Sequence, residues 1–117
     1  MYFSINNSTI NIKDSYRNYL SGKITLPTVD STGNLLKYIG DFADCKQITH
    51  IFFLPSAKYI GFDNNSYGFR DNWNLTYIEL PETITEIGNR AFTNNVKLNI
   101  PELNNIINIK DNAFDGC

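Results

Sequence analysis

The side chains with the chemistry to act are few: one histidine, two cysteines and a run of closely spaced carboxylates. His50 lies in ITHIFF (48–53), and its nearest candidate partners are Asp41, Asp44 and Cys45. A zinc site or a nucleophile–base pair needs ligands at a fixed spacing, of the C-x-x-C or H-E-x-x-H kind. None is present, so His50 reads as a surface or packing residue of a strand. Glu79, Glu82 and Glu86 raise paired-carboxylate acid–base chemistry. Glu82 and Glu86, however, fall on polar turn positions and read as a solvated face. In DNNSYGFRDNWN (63–74), Asp63, Asn65, Gly68 and Asp71 imitate a calcium loop. The last ligand position holds Asn74 where such loops carry a bidentate glutamate, and Phe69 is needed in the core. The segment reads as an insertion between structural units. The sequons at Asn6, Asn7, Asn64 and Asn74 carry no weight in so Asn-rich a chain. No catalytic residue, metal site or cofactor is expected, and the chain reads as a non-enzyme.

What positions these residues is a repeat. Phe42-Ala-Asp-Cys45, Phe69-Arg-Asp-Asn72, Phe92-Thr-Asn-Asn95 and Phe114-Asp-Gly-Cys117 share the form F-x-x-[C/N], with Phe-to-Phe intervals of 27, 23 and 22 residues. Three residues after the Cys or Asn comes Ile48, Leu75 or Leu98. A short strand then ends in proline: ITLP (24–27), FFLP (52–55), IELP (78–81) and the clipped LNIP (98–101). Upstream of each Phe stands an Ile, followed by Gly in Ile39-Gly40, Ile60-Gly61 and Ile87-Gly88, and by Lys110 after Ile109. Self-similarity at a period of about 20–30 residues is the signature of a solenoid. In IELP, Ile78 and Leu80 face one way and Glu79 the other, the period of a half-buried strand. Pro81 ends the ladder because it lacks an N–H. Gly88 allows either a positive φ or a close approach, and Ala91-Phe92 reads as a short helical turn that drops a ring into the core.

The pattern I-x-L-P…I-G-x-x-A-F-x-x-C resembles the BspA-type leucine-rich repeat. ELPETITEIGNRAFTNN (79–95) is the nearest copy, IPELNNIINIKDNAFDGC (100–117) the next, and residues 24–77 are degenerate. The resemblance implies a repeat solenoid of mostly short β-strands joined by short helical turns. About four coils are expected, near 24–47, 48–74, 75–97 and 98–117. Residues 1–23 do not fit the repeat and read as an N-terminal cap: a strand, then a short helix begun by Asp14 and stopped near Ser21-Gly22.

Cys45 and Cys117 hold the same repeat position three coils apart, about 14 Å at roughly 4.8 Å per strand step. A disulfide needs Cα atoms within about 7 Å, so both read as packing residues. Hydrophobic residues at 42% with 19% charge exclude wholesale disorder. With a net charge of −2 and no clustered Lys or Arg, nucleic-acid binding is not expected. The longest apolar run, ITHIFFL (48–54), is far short of the roughly 20 residues of a membrane span, and MYFSINNSTINIK shows no basic stretch followed by an apolar one, so no signal peptide is expected there.

Solenoids bind through side chains that their strands turn outward. Counting back from each proline, that row is Thr25, Phe53, Glu79 and Asn99. A neighbouring row two residues earlier holds Lys23, Tyr77 and Lys97. Phe53 and Tyr77 then form an exposed aromatic pair, flanked by Trp73, of the kind that anchors interfaces; in the alternative, Phe53 packs beneath the 61–68 loop or on the cap. The expected function is protein–protein recognition. Proteins resembling this repeat are commonly surface-associated, which implies adhesion or host interaction and a cell-surface or extracellular place. The alternative is a structural subunit, such as a viral or phage component, associating end to end through its last coil.

Overall fold

The computed structural model describes residues 2–53, 56–61 and 67–117. Met1, Leu54, Pro55 and the 62–66 insertion, with Asp63, Asn64 and Asn65, lie outside the described residues. The strands among the described residues are β1 (Phe3–Asn6), β2 (Thr9–Ile12), β3 (Gly22–Leu26), β4 (Tyr38–Ile39), β5 (Ile48–Phe53), β6 (Tyr59–Ile60), β7 (Tyr77–Ile78), β8 (Glu86–Ile87) and β9 (Asn108–Ile109). The chain alternates between two sheets, one ordered β1-β2-β4-β6-β8-β9 and the other β3-β5-β7. Among the described strands all pairings are parallel except that of β1 with β2. The fold is strand-rich, two mostly parallel sheets facing each other across the chain's successive copies.

Each sheet turns a column of isoleucines inward. Ile10, Ile39, Ile60 and Ile87 lie in register down the larger sheet, and Ile24, Ile51 and Ile78 down the smaller. Between them the rings of Phe42, Phe69, Phe92 and Phe114 stack with centroids 5.5, 5.6 and 5.1 Å apart. Phe3 of β1 extends this column beyond Phe42 at 5.8 Å. The first three rings of the repeat are buried, whereas Phe114 is half-buried because it has a neighbour on one side only.

The segments expected to be short helical turns are hydrogen-bonded turns. In the third copy the N–H groups of Ala91, Thr93 and Asn95 donate to the carbonyls of Gly88, Arg90 and Phe92. These turns stack into a third ladder. Phe42, Phe69 and Phe92 N–H donate to the carbonyls of Gly68, Ala91 and Ala113, at 2.7, 2.6 and 2.7 Å. The residue before each Cys or Asn is left-handed: Asp44 at φ +59°, Asp71 at +61°, Asn94 at +61° and Gly116 at +78°. Asp, Asn and Gly are the residues that adopt this conformation at least cost, so the choice of side chain here is dictated by the backbone.

Of the glycines after the isoleucine column, Gly40 and Gly88 serve close approach, whereas Gly61 is left-handed at φ +60°. Gly40, Gly61 and Gly88 N–H donate to the carbonyls of Ile10, Ile39 and Ile60 at 2.9, 2.8 and 2.7 Å. A methyl group on Gly88 would overlap the carbonyl of Gly61. Lys110 continues the same bonding, to Ile87.

The N-terminal segment differs from expectation in two ways. It holds two strands, closed by Asn7 and Ser8 at φ +50° and +65°. Two positive φ values make the tight turn whose twist suits a hairpin. The expected helix is a three-residue 3-10 turn, Asp14–Tyr16, whose cap residue is Lys13 with no side-chain cap bond. Asp14 instead pairs with Arg17, whose guanidinium also grips both carboxylate oxygens of Asp41 and the carbonyl of Ala43. Burial alone would lower the Arg17 pKa. The bonds to Asp41 and Asp14 outweigh it and hold the pKa above its ordinary value, so this segment is tied to the first repeat by a permanent charge.

Both cysteines are free; Cys45 is buried and Cys117 exposed. Loss of solvation pushes the Cys45 thiol up to about 12, and burial raises Cys117 as well. The thiolate is the reactive form. Native protein at pH 8 is therefore expected to give one titratable thiol, Cys117, with a chromogenic disulfide reagent, and two after denaturation. Two rapid native thiols would refute the packing role of Cys45.

Candidate protein-binding face

The outward face of β3, β5 and β7 gathers three rings, the exposed Tyr77 and the half-buried His50 and Phe52. Lys23, His50 and Tyr77 are in register across the three strands, and Thr25 lies beside Phe52. The ring centroids are 6.3 Å apart for His50 and Phe52, 6.0 Å for His50 and Tyr77, and 5.7 Å for Phe52 and Tyr77. Such spacing is that of favourably packed rings. Thr49 Oγ1 lies 2.9 Å from His50 Nδ1, which orients the imidazole. Tyr77 is 42% exposed, and Thr25 and Glu79 are exposed on the same face. Trp73 lies at its margin, exposed, with Lys46 Nζ 4.1 Å above its ring.

Phe53 does not belong to this face. It is 4% exposed and packs edge-on against Phe69 at 6.0 Å. Three residues separate Ile24 from Pro27 and Ile78 from Pro81, but four separate Ile51 from Pro55. Counting from the proline therefore slipped β5 by one residue, and a slip of one exchanges the two faces of a strand. Registering the strands on Ile24, Ile51 and Ile78 identifies Phe52 as the outward ring. Asn99 is also displaced. Its N–H donates to the Thr76 carbonyl, as Thr76 N–H donates to Thr49, so it continues that level of the ladder and not the level of Glu79. The clipped LNIP segment brings Pro101 three residues after Leu98, against six from Leu75 to Pro81. Lys97 reaches Asn74 Oδ1 at 2.9 Å and ties the second and third copies together.

The residues screened for catalysis are dispersed. His50 contacts a hydroxyl and two rings, Cys45 is in the core, and Asp41 is bound to Arg17. Glu79 lies on the β7 side and Glu86 on β8 of the other sheet, with Glu82 in the turn between. Among the described residues no three His, Cys, Asp or Glu side chains converge as a metal site.

The repeat-closing positions are bonded across copies. Asn72 Nδ2 donates to the carbonyls of Phe42 and Phe69 at 2.9 and 2.6 Å, and its Oδ1 accepts the Cys45 N–H at 2.9 Å. Asn95 Nδ2 donates to the carbonyls of Phe69 and Phe92 at 2.9 and 2.8 Å. Cys117 Sγ donates to the Phe92 carbonyl at 3.2 Å. Residues 63–117 match a family profile described as "BspA type Leucine rich repeat region (6 copies)". Residues 63–117 are thus similar to the BspA-type leucine-rich repeat region. Among solved structures, the crystal structure of a T. pallidum leucine rich repeat protein, TpLRR, is similar over 97% of this chain and 63% of that one, with a TM-score of 0.62 and 18% identity. At that identity the likeness is one of fold, leucine-rich-repeat-like, and the chain spans less than two thirds of the T. pallidum chain. Curated proteins contain no match. No helix among the described residues is long and apolar enough to cross a membrane.

Proposed function

We propose that the chain is a leucine-rich-repeat solenoid of about four coils behind an N-terminal cap formed by residues 1–23. It acts as a non-enzymatic protein-recognition module, in adhesion or host interaction at a cell surface. The observation that carries this reading is the three-ring patch of His50, Phe52 and Tyr77 on one sheet face, bordered by Lys23, Thr25, Glu79 and Trp73. Rings held by a rigid sheet lose little conformational freedom on binding, and aromatic residues dominate interface energetics. The test is capture from host-cell lysate and serum by wild type beside a Phe52→Asp/Tyr77→Asp variant that retains the wild-type circular dichroism spectrum. A partner held by the wild type is expected to bind the variant at least about 30-fold more weakly, the loss of one strong anchor. Equal affinity would remove the site from this face.

A second reading, end-to-end assembly, is favoured by the apolar residues around β9: Ile107 is 83% exposed, with Ile100 and Ile109 about half exposed. Sedimentation of the chain at high concentration distinguishes the two, since this reading requires oligomers that an Ile107→Lys/Ile109→Lys variant fails to form.

A further inference from the structure

At the end of the molecule away from β9, the two sheets part and leave a groove of about 880 Å³. Tyr2, Phe3, Ile5, Leu26, Pro27 and Val29 supply its apolar lining. One wall is the open edge of β1. Lys13 N–H donates to the Tyr2 carbonyl, and β1 pairs Phe3 with Ile12, Ser4 with Asn11 and Ile5 with Ile10. Hydrogen-bonded and non-bonded pairs alternate in an antiparallel ladder, so Ser4 bonds to β2 while the N–H and C=O groups of Phe3 and Ile5 face away from it. Among the described residues those four backbone groups have no backbone partner. The opposite wall includes Thr25 of β3, itself the edge strand of the smaller sheet. Asp30 is the one charged residue of the lining among the described residues. Its Oδ1 accepts the N–H of Thr32, the hydroxyl of Thr32 and the N–H of Asn34, which fixes a carboxylate at the groove mouth.

We propose that this groove is a peptide-binding site, in which an extended segment of a partner protein adds as a strand to the open edge of β1, its alternate apolar side chains on Phe3, Ile5 and Leu26 and a basic residue against Asp30. Donors and acceptors repeated every second residue along an unpaired edge match another strand in that same period. The apolar lining takes every second side chain, and the lone carboxylate selects a cationic one. This site shares Thr25 with the border of the aromatic face but is otherwise distinct from it, since none of His50, Phe52 or Tyr77 lines the groove.

The probe is a fluorescein-labelled eight-residue peptide, one lysine followed by alternating valine and threonine, titrated into the full chain. Two controls carry either N-methyl groups on alternate amides or glutamate in place of lysine. Methylation in the phase that faces β1 removes two backbone bonds, which is expected to weaken binding about tenfold. The lysine peptide is expected to bind more tightly than the glutamate peptide, and Asp30→Asn, which keeps the Oδ1 acceptor, is expected to erase that preference. The amide resonances of Phe3 and Ile5 are expected to shift on titration. Equal binding of methylated and unmethylated peptides overturns the proposal. So does the absence of saturation up to millimolar peptide, or a shift confined to β5 and β7. A concentration-dependent dimer of the chain alone that buries the same two amides would assign the edge to a second copy and equally overturn it.

Discussion

Replacing Phe69 with alanine is expected to destabilise the fold by about 4 kcal/mol, the middle of the range for deleting a buried ring. Phe69 is 1% exposed and touches three other rings, those of Phe42, Phe53 and Phe92, at 5.5, 6.0 and 5.6 Å. It is therefore the junction between the Phe column and the smaller sheet. The cavity left behind is walled by turns whose backbones are bonded to both neighbours, since Phe69 N–H donates to Ala91 and Phe42 N–H to Gly68, so little collapse can relieve it. A domain of this size has only about 5–15 kcal/mol to lose, and urea unfolding should show a midpoint reduced by a large fraction. Phe114→Ala is the control. That ring is half-buried and stacks on Phe92 alone, so its loss should cost about 1–2 kcal/mol, near one ring pair plus partial burial. If the two variants unfold at the same urea concentration, the Phe column is not the core of the fold.

The difference between what could and could not be read from the letters follows from which constraint each residue obeys. The period of Phe42, Phe69, Phe92 and Phe114 is visible because a ring of fixed size must return once per copy, whatever the loop between. The glycines at 40, 61 and 88 are visible for the same reason, although their cause could not be chosen from sequence alone. Close approach to the previous copy decides it at Gly40 and Gly88, which have no room for a methyl group, and a positive φ decides it at Gly61. The facing of β5 was not legible from the prolines, because a proline marks where a strand stops and not where its pleat begins. The inward column of Ile24, Ile51 and Ile78 carries the pleat, and it identifies Phe52 and its contacts with His50 and Tyr77. The β1–β2 hairpin was missed for a different reason. Its turn is Asn7-Ser8, without the glycine that marks most such turns, though the alternating runs on either side were present. The left-handed row Asp44, Asp71, Asn94 and Gly116 was written in the sequence as one Asp/Asn/Gly position in every copy. The Arg17–Asp41 tie could not be foreseen, because it joins residues that no repeat relates.

The second large effect is expected at Asn72, and its size relative to Asn95 is the sharper test. The two residues hold equivalent places and are equally buried, yet their loss has different consequences. In Asn72→Ala the Phe42 carbonyl loses its donor and the Cys45 N–H its acceptor, while the Phe69 carbonyl retains Asn95. Two buried backbone groups are left unpaired, at about 1–3 kcal/mol each, and a total near 3–4 kcal/mol is expected. In Asn95→Ala no backbone carbonyl is orphaned. Phe69 keeps Asn72, and Phe92 keeps the N–H of residue 95 and the Cys117 thiol. Asn95 Oδ1, moreover, has no partner among the described residues, so its removal relieves a buried unsatisfied acceptor. Asn95→Ala should cost about 1 kcal/mol, the net worth of ordinary hydrogen bonds. Chemical denaturation of both variants measures the ranking, and hydrogen exchange assigns its cause. The Cys45 amide should lose protection in Asn72→Ala and keep it in Asn95→Ala. Equal destabilisation with Cys45 still protected in both would mean that the asparagine ladder contributes through packing alone.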